Sequence, residues 1–405
     1  MTTERPPTAT LDSGRGWLVT AAAVLSMFTV FGVGYSFGAF FTPMADEFDA
    51  GSGQTALVFS ITIALSFLLA PLTGRLADRV GPRPVLWLGA ASLFIGLLAT
   101  SRTPNLVLGY VTYGVGTGLA IACGYVPMVA TVGGWFDRHR TLAMGVAVAG
   151  IGLGTLVGSP VSARLIEALG WRDTFALYAV VGAGLLLVAS IPAAFGPAAQ
   201  PTATPRSLAE LLRIDDFRLL YGSSLLVTFG LFVPFVFLAA HAEDRGASPV
   251  RAAALVGIIG GASVVGRLGL GALAERVGVI RLYRISISVM ALSHLLWLVA
   301  GSSYAILVAY AAVLGVGYGG FIALSPAVAA QRFGLEGLGG ILGTLYTSAA
   351  GGALLGPPAA GLVIDHLGAE TAIVAASVLG LGAVAVVWRV GEAEPLSPTA
   401  AASTS

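Results

Sequence analysis

The chain is a succession of long apolar runs separated by short polar breaks, and that pattern leaves few folds open. Twelve runs are long enough to cross about 30 Å of hydrocarbon: residues 18–41, 55–73, 84–100, 105–133, 141–163, 174–195, 217–240, 252–274, 282–300, 303–330, 339–363 and 370–390. Hydrocarbon offers no water to unpaired backbone groups, so segments of this kind span as helices, which satisfy their own hydrogen bonds. The expected fold class is an all-α membrane protein. Only 10% of the 405 residues are charged, against about 25% in soluble domains. The first run has no small-residue cleavage site after it and reads as a retained span.

The polar segments divide the chain. Residues 196–216 carry Pro197, Pro201 and Pro205 and read as a linker. The expected organisation is a tail over 1–17, a six-helix bundle over 18–195, the linker over 196–216, a second bundle over 217–390 and a tail over 391–405. Arginines cluster at the N-terminus and after even-numbered runs, as at Arg15, Arg75, Arg79, Arg83, Arg138, Arg140, Arg276, Arg281 and Arg332. Only Arg102, Arg164, Arg172, Arg245 and Arg251 lie in the other loops. The positive-inside rule predicts both termini in the cytoplasm of a cell (inner) membrane protein.

The two halves repeat. Gly-Arg-Leu-Ala-Asp-Arg-Val-Gly at 74–81 returns as Gly-Ala-Leu-Ala-Glu-Arg-Val-Gly at 271–278. Gly-Val-Gly-Thr-Gly at 114–118 returns as Gly-Val-Gly-Tyr-Gly at 315–319. Gly158 and Pro160, before Leu-Ile-Glu-Ala-Leu-Gly, match Gly356 and Pro358, before Val-Ile-Asp-His-Leu-Gly. Three matches in the same order imply two similar halves, with a binding site between them near the midplane.

Arg267 lies inside the eighth run. A permanent charge within a span is expensive and normally faces a protein-lined or water-filled cavity. Its planar fork suits a carboxylate, so a small organic anion is the expected cargo. An exporter of apolar cations should carry an acid there instead. Among tyrosines, Tyr318 interrupts a glycine-rich stretch and can aim its hydroxyl into the cavity. Tyr113, Tyr125 and Tyr346 are further candidates, and Tyr125 precedes Pro127 and an expected backbone break. His294 reads as a packing residue and Cys123, the single cysteine, as a small packing residue. A net charge of +1 gives no sign of nucleic-acid binding. No cofactor motif, metal-ligand cluster or catalytic constellation is present in the sequence, so the expected activity is not enzymatic; the expected partners are the anion and membrane lipid.

Gly74 to Arg83 resembles the loop 2–3 signature of the major facilitator superfamily, G-x-L-a-D-r-x-G-r-r. The resemblance implies twelve transmembrane helices in two pseudo-symmetric six-helix bundles. Asp78, Arg79 and Arg83, with Glu275 and Arg276 in the repeat, would form an inner gate. Asp12-Ser13-Gly14-Arg15-Gly16-Trp17 resembles the D-G-G-W-G-W element of the monocarboxylate transporter family. Trp135 to Gly150 resembles that family's Y-F-x-K-R-R-x-L-A-x-G-x-A-x-A-G, which its bacterial branch, including oxalate/formate-type exchangers, shares. That family implies transport of a monocarboxylate by alternating access, with Arg267 holding the carboxylate. The rival within the superfamily is a drug or sugar exporter.

The chain departs from animal members at two points. Ser263 stands where they place an aspartate one turn before the arginine, and Tyr35 where some place a lysine. Both are expected to contact substrate. Their relatives' groups are tied to proton coupling, so a weak response to a pH gradient is expected, with a counter-anion as the alternative partner. Asp244, near the outer vestibule, is the remaining candidate proton site.

Overall fold

A computed structural model of the chain describes residues 11–194, 208–334 and 338–391, with the side chains of Thr141, Glu275, Leu338 and Gly339 outside the description. Among the described residues, twelve helices are long and apolar enough to span: α1 (Gly14–Phe48), α2 (Ser52–Val80), α3 (Pro82–Thr100), α4 (Leu106–Gly133), α5 (Leu142–Leu169), α6 (Trp171–Ser190), α7 (Asp215–Glu243), α8 (Pro249–Ala274), α9 (Val279–Val299), α10 (Tyr304–Phe333), α11 (Gly340–Leu367) and α12 (Ala369–Val387). At 1.5 Å per residue, the 35 residues of α1 reach about 50 Å, so this helix continues beyond the apolar run 18–41 and leaves the hydrocarbon. The linker 196–216 is described only from residue 208, where Leu208–Leu211 makes one helical turn before α7.

The helices form two six-helix bundles, α1–α6 and α7–α12. The repeated sequences end in repeated backbone. Gly81 and Gly278 close α2 and α8 with φ of 96° and 99°; Gly170 and Gly368 follow α5 and α11 at 80° and 86°. Left-handed φ of this kind favours glycine, which has no Cβ to clash. The matched motifs are therefore matched stop signals. Close packing comes from small residues too. On α5, Gly150, Gly154 and Gly158 lie one turn apart, and a Cβ at each would come within 2.5 Å of the α1 carbonyls of Val24, Phe28 and Gly32.

Three helices are interrupted along their length. α1 bends at Ser36. α7 bends at Phe232, just before Pro234. α4 opens into a wide turn over Tyr110–Val115 and breaks at Tyr125, two residues before Pro127. Proline lacks an N–H and crowds the preceding turn, which accounts for the α4 and α7 breaks. The bends place the outer segments of α1 and α7 against each other, with Gly38 directly over the Phe235 carbonyl.

The two bundles meet closely at the end away from the arginine clusters. There, Ser52 N–H donates to the Asp365 carboxylate at 3.2 Å, and Gly361 lies against the backbone of Gly53. Phe41 and Phe237 pack edge to face at 5.1 Å. Toward the arginine-rich end the junction is looser; there, a Cβ on Gly343 would reach only to 3.8 Å from Pro71.

The two family-like motifs form one joint. Asp12 N–H donates to the Trp135 carbonyl at 3.0 Å. Its carboxylate accepts from the backbone N–H groups of Asp137, Arg138 and His139, and approaches His139 Nδ1 at 3.2 Å. Trp17 packs edge to face on Phe136 at 5.0 Å. Partial desolvation opposes the charge on Asp12, but the donors from His139, Arg138 and Asp137 hold its carboxyl below the usual range.

Candidate functional site

A cavity of about 20 Å³ lies between the bundles, which is room for one water. Its walls come from both halves: Phe31, Tyr35, Phe67, Tyr125 and Ile151 from one, and Ser224, Thr228, Phe232, Tyr318, Phe321, Ser325 and Tyr346 among others from the second. An apolar wall with a few hydroxyls fits a short organic ligand better than a sugar, which needs many polar partners. Among the described residues, no acidic side chain lines it.

The five tyrosines expected at the site do not all behave alike. Tyr35, Tyr125, Tyr318 and Tyr346 all reach the cavity. Tyr113 does not line it: its hydroxyl donates to the Val33 carbonyl at 3.2 Å, and its ring packs on Phe37 and Phe175 inside the first bundle. The wide turn at Tyr110–Val115 offsets the faces of α4, so twelve residues separate two tyrosines with different surroundings. Ser263 is also withheld from the cavity. Its hydroxyl donates to the Gly260 carbonyl at 2.7 Å and faces Gly152 of α5.

Arg267 is 4% exposed. It stands beside the cavity wall instead of in it. Its carbon Cζ lies 5.4 Å from the centroid of the Tyr318 ring, a cation–π contact. Nη1 donates to the Val148 carbonyl of α5 at 2.9 Å. Among the described residues, Nε and Nη2 are buried without a hydrogen-bond partner. A planar guanidinium with two free donors is half of a bidentate carboxylate site. Unmet buried donors on a cation are unfavourable, so an anion that meets them gains the difference. Gly319 permits this arrangement, since a Cβ there would fall 2.1 Å from the Ser263 carbonyl of α8, beside the arginine's own turn.

Tyr318 has a second link. Its hydroxyl is 3.1 Å from that of Tyr35. Both polar links at the cavity therefore cross between bundles: α8 to α5 through Arg267 and Val148, and α1 to α10 through the tyrosine pair. The pairing of Tyr35 with Tyr318 has no local signal in the sequence, because 283 residues separate them.

The signature residues lie far from the cavity, at the arginine-rich ends of α2 and α8. Asp78, Arg79 and Arg276 are exposed. Arg83 is bonded within its own bundle, donating to the Ser190 and Ile191 carbonyls at the end of α6. The Glu275 side chain lies outside the described residues. Asp244 is exposed at the end of α7, where its backbone N–H closes the helix on Ala240. His241, one turn earlier, is buried.

The sequence model of the Major Facilitator Superfamily matches residues 22–278 and 220–404. Monocarboxylate transporter 3 of Rattus norvegicus is 33% identical over 379 residues, covering 88% of this chain and 75% of the relative. Monocarboxylate transporter 13 of Bos taurus is 32% identical, covering 89% and 85%. Monocarboxylate transporter 11 of Homo sapiens is 30% identical, covering 90% and 80%. Among solved structures, a bacterial homologue of the human lysosomal transporter Spinster, inward-facing and unoccupied, superposes with a TM-score of 0.73 at 14% identity over 94% of this chain and 97% of that one. That likeness carries the fold, and the sequence relatives carry the family: the chain belongs to the monocarboxylate transporter family of the major facilitator superfamily.

Proposed function

We propose that this multi-pass membrane protein carries a small monocarboxylate by alternating access, with Arg267 as the carboxylate anchor. The observation that carries the reading is the buried guanidinium beside the inter-bundle cavity with two unmet donors. Tyr35, Tyr125, Tyr318 and Tyr346 supply hydroxyls around the remainder of the anion, and the apolar wall limits its polarity. A three-carbon carboxylate is larger than the one water the cavity holds, so binding turns Tyr318 aside and loosens the tyrosine pair. Tyr113 and Ser263 act as packing supports. The relatives' names add support for a monocarboxylate cargo.

The arginine asymmetry supports an inner-membrane orientation with both termini in the cytoplasm. In that orientation the tight Ser52–Asp365 end faces outward and the looser end inward. Asp78, Arg79 and Arg83, with Glu275 and Arg276, then act as the inner closure, with Asp78 engaged when the inner side shuts. The cavity lining has no acid, so anion exchange or uniport can run through it, and any coupled proton must be held elsewhere.

Purified protein in proteoliposomes should take up labelled lactate, and preloaded lactate should accelerate entry. Arg267→Ala should abolish both while the protein remains monodisperse. Lactate uptake by a folded Arg267→Ala variant at the wild-type rate would remove the anchor; sugar or drug flux without lactate flux would favour the exporter reading.

A further inference from the structure

Helix α2 starts without a cap of its own. Its N-cap residue is Gly51, which has no side chain to turn back onto the first turn. Thr55 N–H donates to the Gly51 carbonyl at 3.0 Å and opens the helical ladder. The N–H groups of Ser52, Gly53 and Gln54 come before it and have no acceptor within their own helix. A start of this kind usually takes a serine, aspartate or asparagine at the N-cap.

The missing cap comes from the other bundle. The carboxylate of Asp365, on α11, accepts from Ser52 N–H at 3.2 Å. A Cβ on Gly51 would fall 2.9 Å from the same carboxylate, so glycine keeps that place open. The approach from α1 is short and fixed. Asp49 turns left-handed at φ 47°, and Ala50 N–H closes on the Ala45 carbonyl at 3.0 Å. Asp365 is badly placed for its own helix. It lies in the last turn of α11, which ends at Leu367, and the carbonyl end of a helix dipole disfavours a negative charge. At the start of α2 the same charge is favoured. Backbone meets backbone beside it: a Cβ on Gly361, one turn back along α11, would fall 2.6 Å from Gly53 Cα.

The repeat shows that the contact is made on one side only. Glu167, near the end of α5, corresponds to Asp365. In the register of the 74–81 and 271–278 motifs, Ser52 corresponds to Pro249 at the start of α8. Proline has no N–H to give. Glu167 instead has the like charge of Glu243 in its surroundings, on α7 of the other bundle. The same end of the molecule is therefore tied where α2 meets α11 and under repulsion where α5 approaches α7.

We propose that Asp365 latches the carrier shut at the end away from the arginine clusters by capping α2 across the bundles, and that the resting conformation is set at this α2–α11 joint and not at its α5–α7 counterpart. The inference rests on the alternating-access reading. Opening that end uncaps α2 and leaves Asp365 facing only the dipole of its own helix. Both changes oppose opening. The glycine crossing lets the helices touch, and the carboxylate decides how firmly they stay together. A cap of this kind is worth about a fivefold shift in a two-state equilibrium.

The test is a distance measurement on the full chain in lipid nanodiscs, without substrate. Spin labels go on Arg102→Cys and Glu370→Cys, exposed positions in the loops at this end of the first and second bundles, in a Cys123→Ser background. Wild type should show a dominant short distance. Asp365→Ala should raise the ratio of long to short about fivefold. Asp365→Asn, which keeps an acceptor oxygen and loses the charge, should lie between the two. Gly361→Ala, whose Cβ has no room against Gly53, should open the end further. Glu167→Gln should leave the ratio at or below that of wild type. Should Gly361→Ala fail to fold, the Asp365 and Glu167 variants carry the test. A wild-type ratio in Asp365→Ala overturns the latch, as does a wild type already open at this end. Opening in Glu167→Gln as large as in Asp365→Ala overturns the asymmetry. Failure of wild type to carry lactate counts against the monocarboxylate reading, and the distances still decide the latch.

Discussion

Arg267→Lys is the sharpest perturbation of the proposed substrate site, because it keeps the charge and removes the fork. In the structure one donor, Nη1, is engaged by the Val148 carbonyl, and two, Nε and Nη2, are free. A carboxylate taking both free donors gains two charge-assisted hydrogen bonds, each worth about 1.5–3 kcal/mol. Arg267→Ala forfeits both, about 3–6 kcal/mol, or roughly a hundredfold to ten-thousandfold in Kd. A lysine ammonium is a single point that reaches one oxygen well. It should forfeit about half, roughly ten- to a hundredfold. The order Arg, then Lys, then Ala is the test. Lactate-dependent thermal stabilisation reads it, since a ligand bound only to the folded state raises Tm by mass action. A Lys variant equal to wild type would show that charge alone suffices, and would refute the bidentate reading. A Lys variant as weak as Ala would show that geometry is everything at this site. The unliganded Ala variant should be at least as stable as wild type, because a buried cation with unmet donors is removed.

Three further outcomes are expected. Tyr318→Phe keeps the ring on Arg267 and deletes the hydroxyl bond to Tyr35; it should speed exchange between conformations and change lactate affinity by less than about tenfold, read by counterflow against Kd. Asp78→Asn should slow counterflow with little change in lactate Kd; a collapse of affinity with normal counterflow would move Asp78 out of the closure. Asp12→Asn should lower Tm at neutral pH by weakening the joint with the 137–139 backbone. The carboxyl of Asp12 is held below its usual range, so its contribution is present above about pH 4 and fades as the pH falls further. Wild type and Asp12→Asn should therefore converge in Tm on acidification, and a constant gap between them would contradict the assignment.

The fold was legible because membrane folding is dictated by length and apolarity. Twelve runs became twelve spanning helices, and repeated glycine-terminated motifs became repeated backbone turns at Gly81 and Gly278. Arg267 was legible because a charge in a span has few explanations. Its immediate company was less so. Ser263 sits one turn from Arg267, yet helix rotation turns its hydroxyl back onto Gly260 and toward α5. Tyr113 was misplaced by a wide turn that no residue type announces. The Tyr35–Tyr318 pair joins residues from different helices, so only packing reveals it.

The cavity's wiring gives a physical account of why binding and movement should be coupled. At rest, the first bundle offers Val148 and Tyr35, and the second offers Arg267 and Tyr318. Two polar links join the bundles at the midplane, and each uses a group that the carboxylate also needs. A substrate that takes the free donors of Arg267 competes for the position of Tyr318, whose ring lies on the guanidinium and whose hydroxyl holds Tyr35. Binding thus trades links between bundles for links to cargo. The interface left behind is the backbone-close glycine packing and the Ser52–Asp365 contact at the far end, which are directional and can part together. An empty carrier, with its midplane tied, should reorient more slowly than a loaded one. A ligand that bound both conformations equally would shift nothing. An anion that can dissolve the tie has the differential affinity that transport requires.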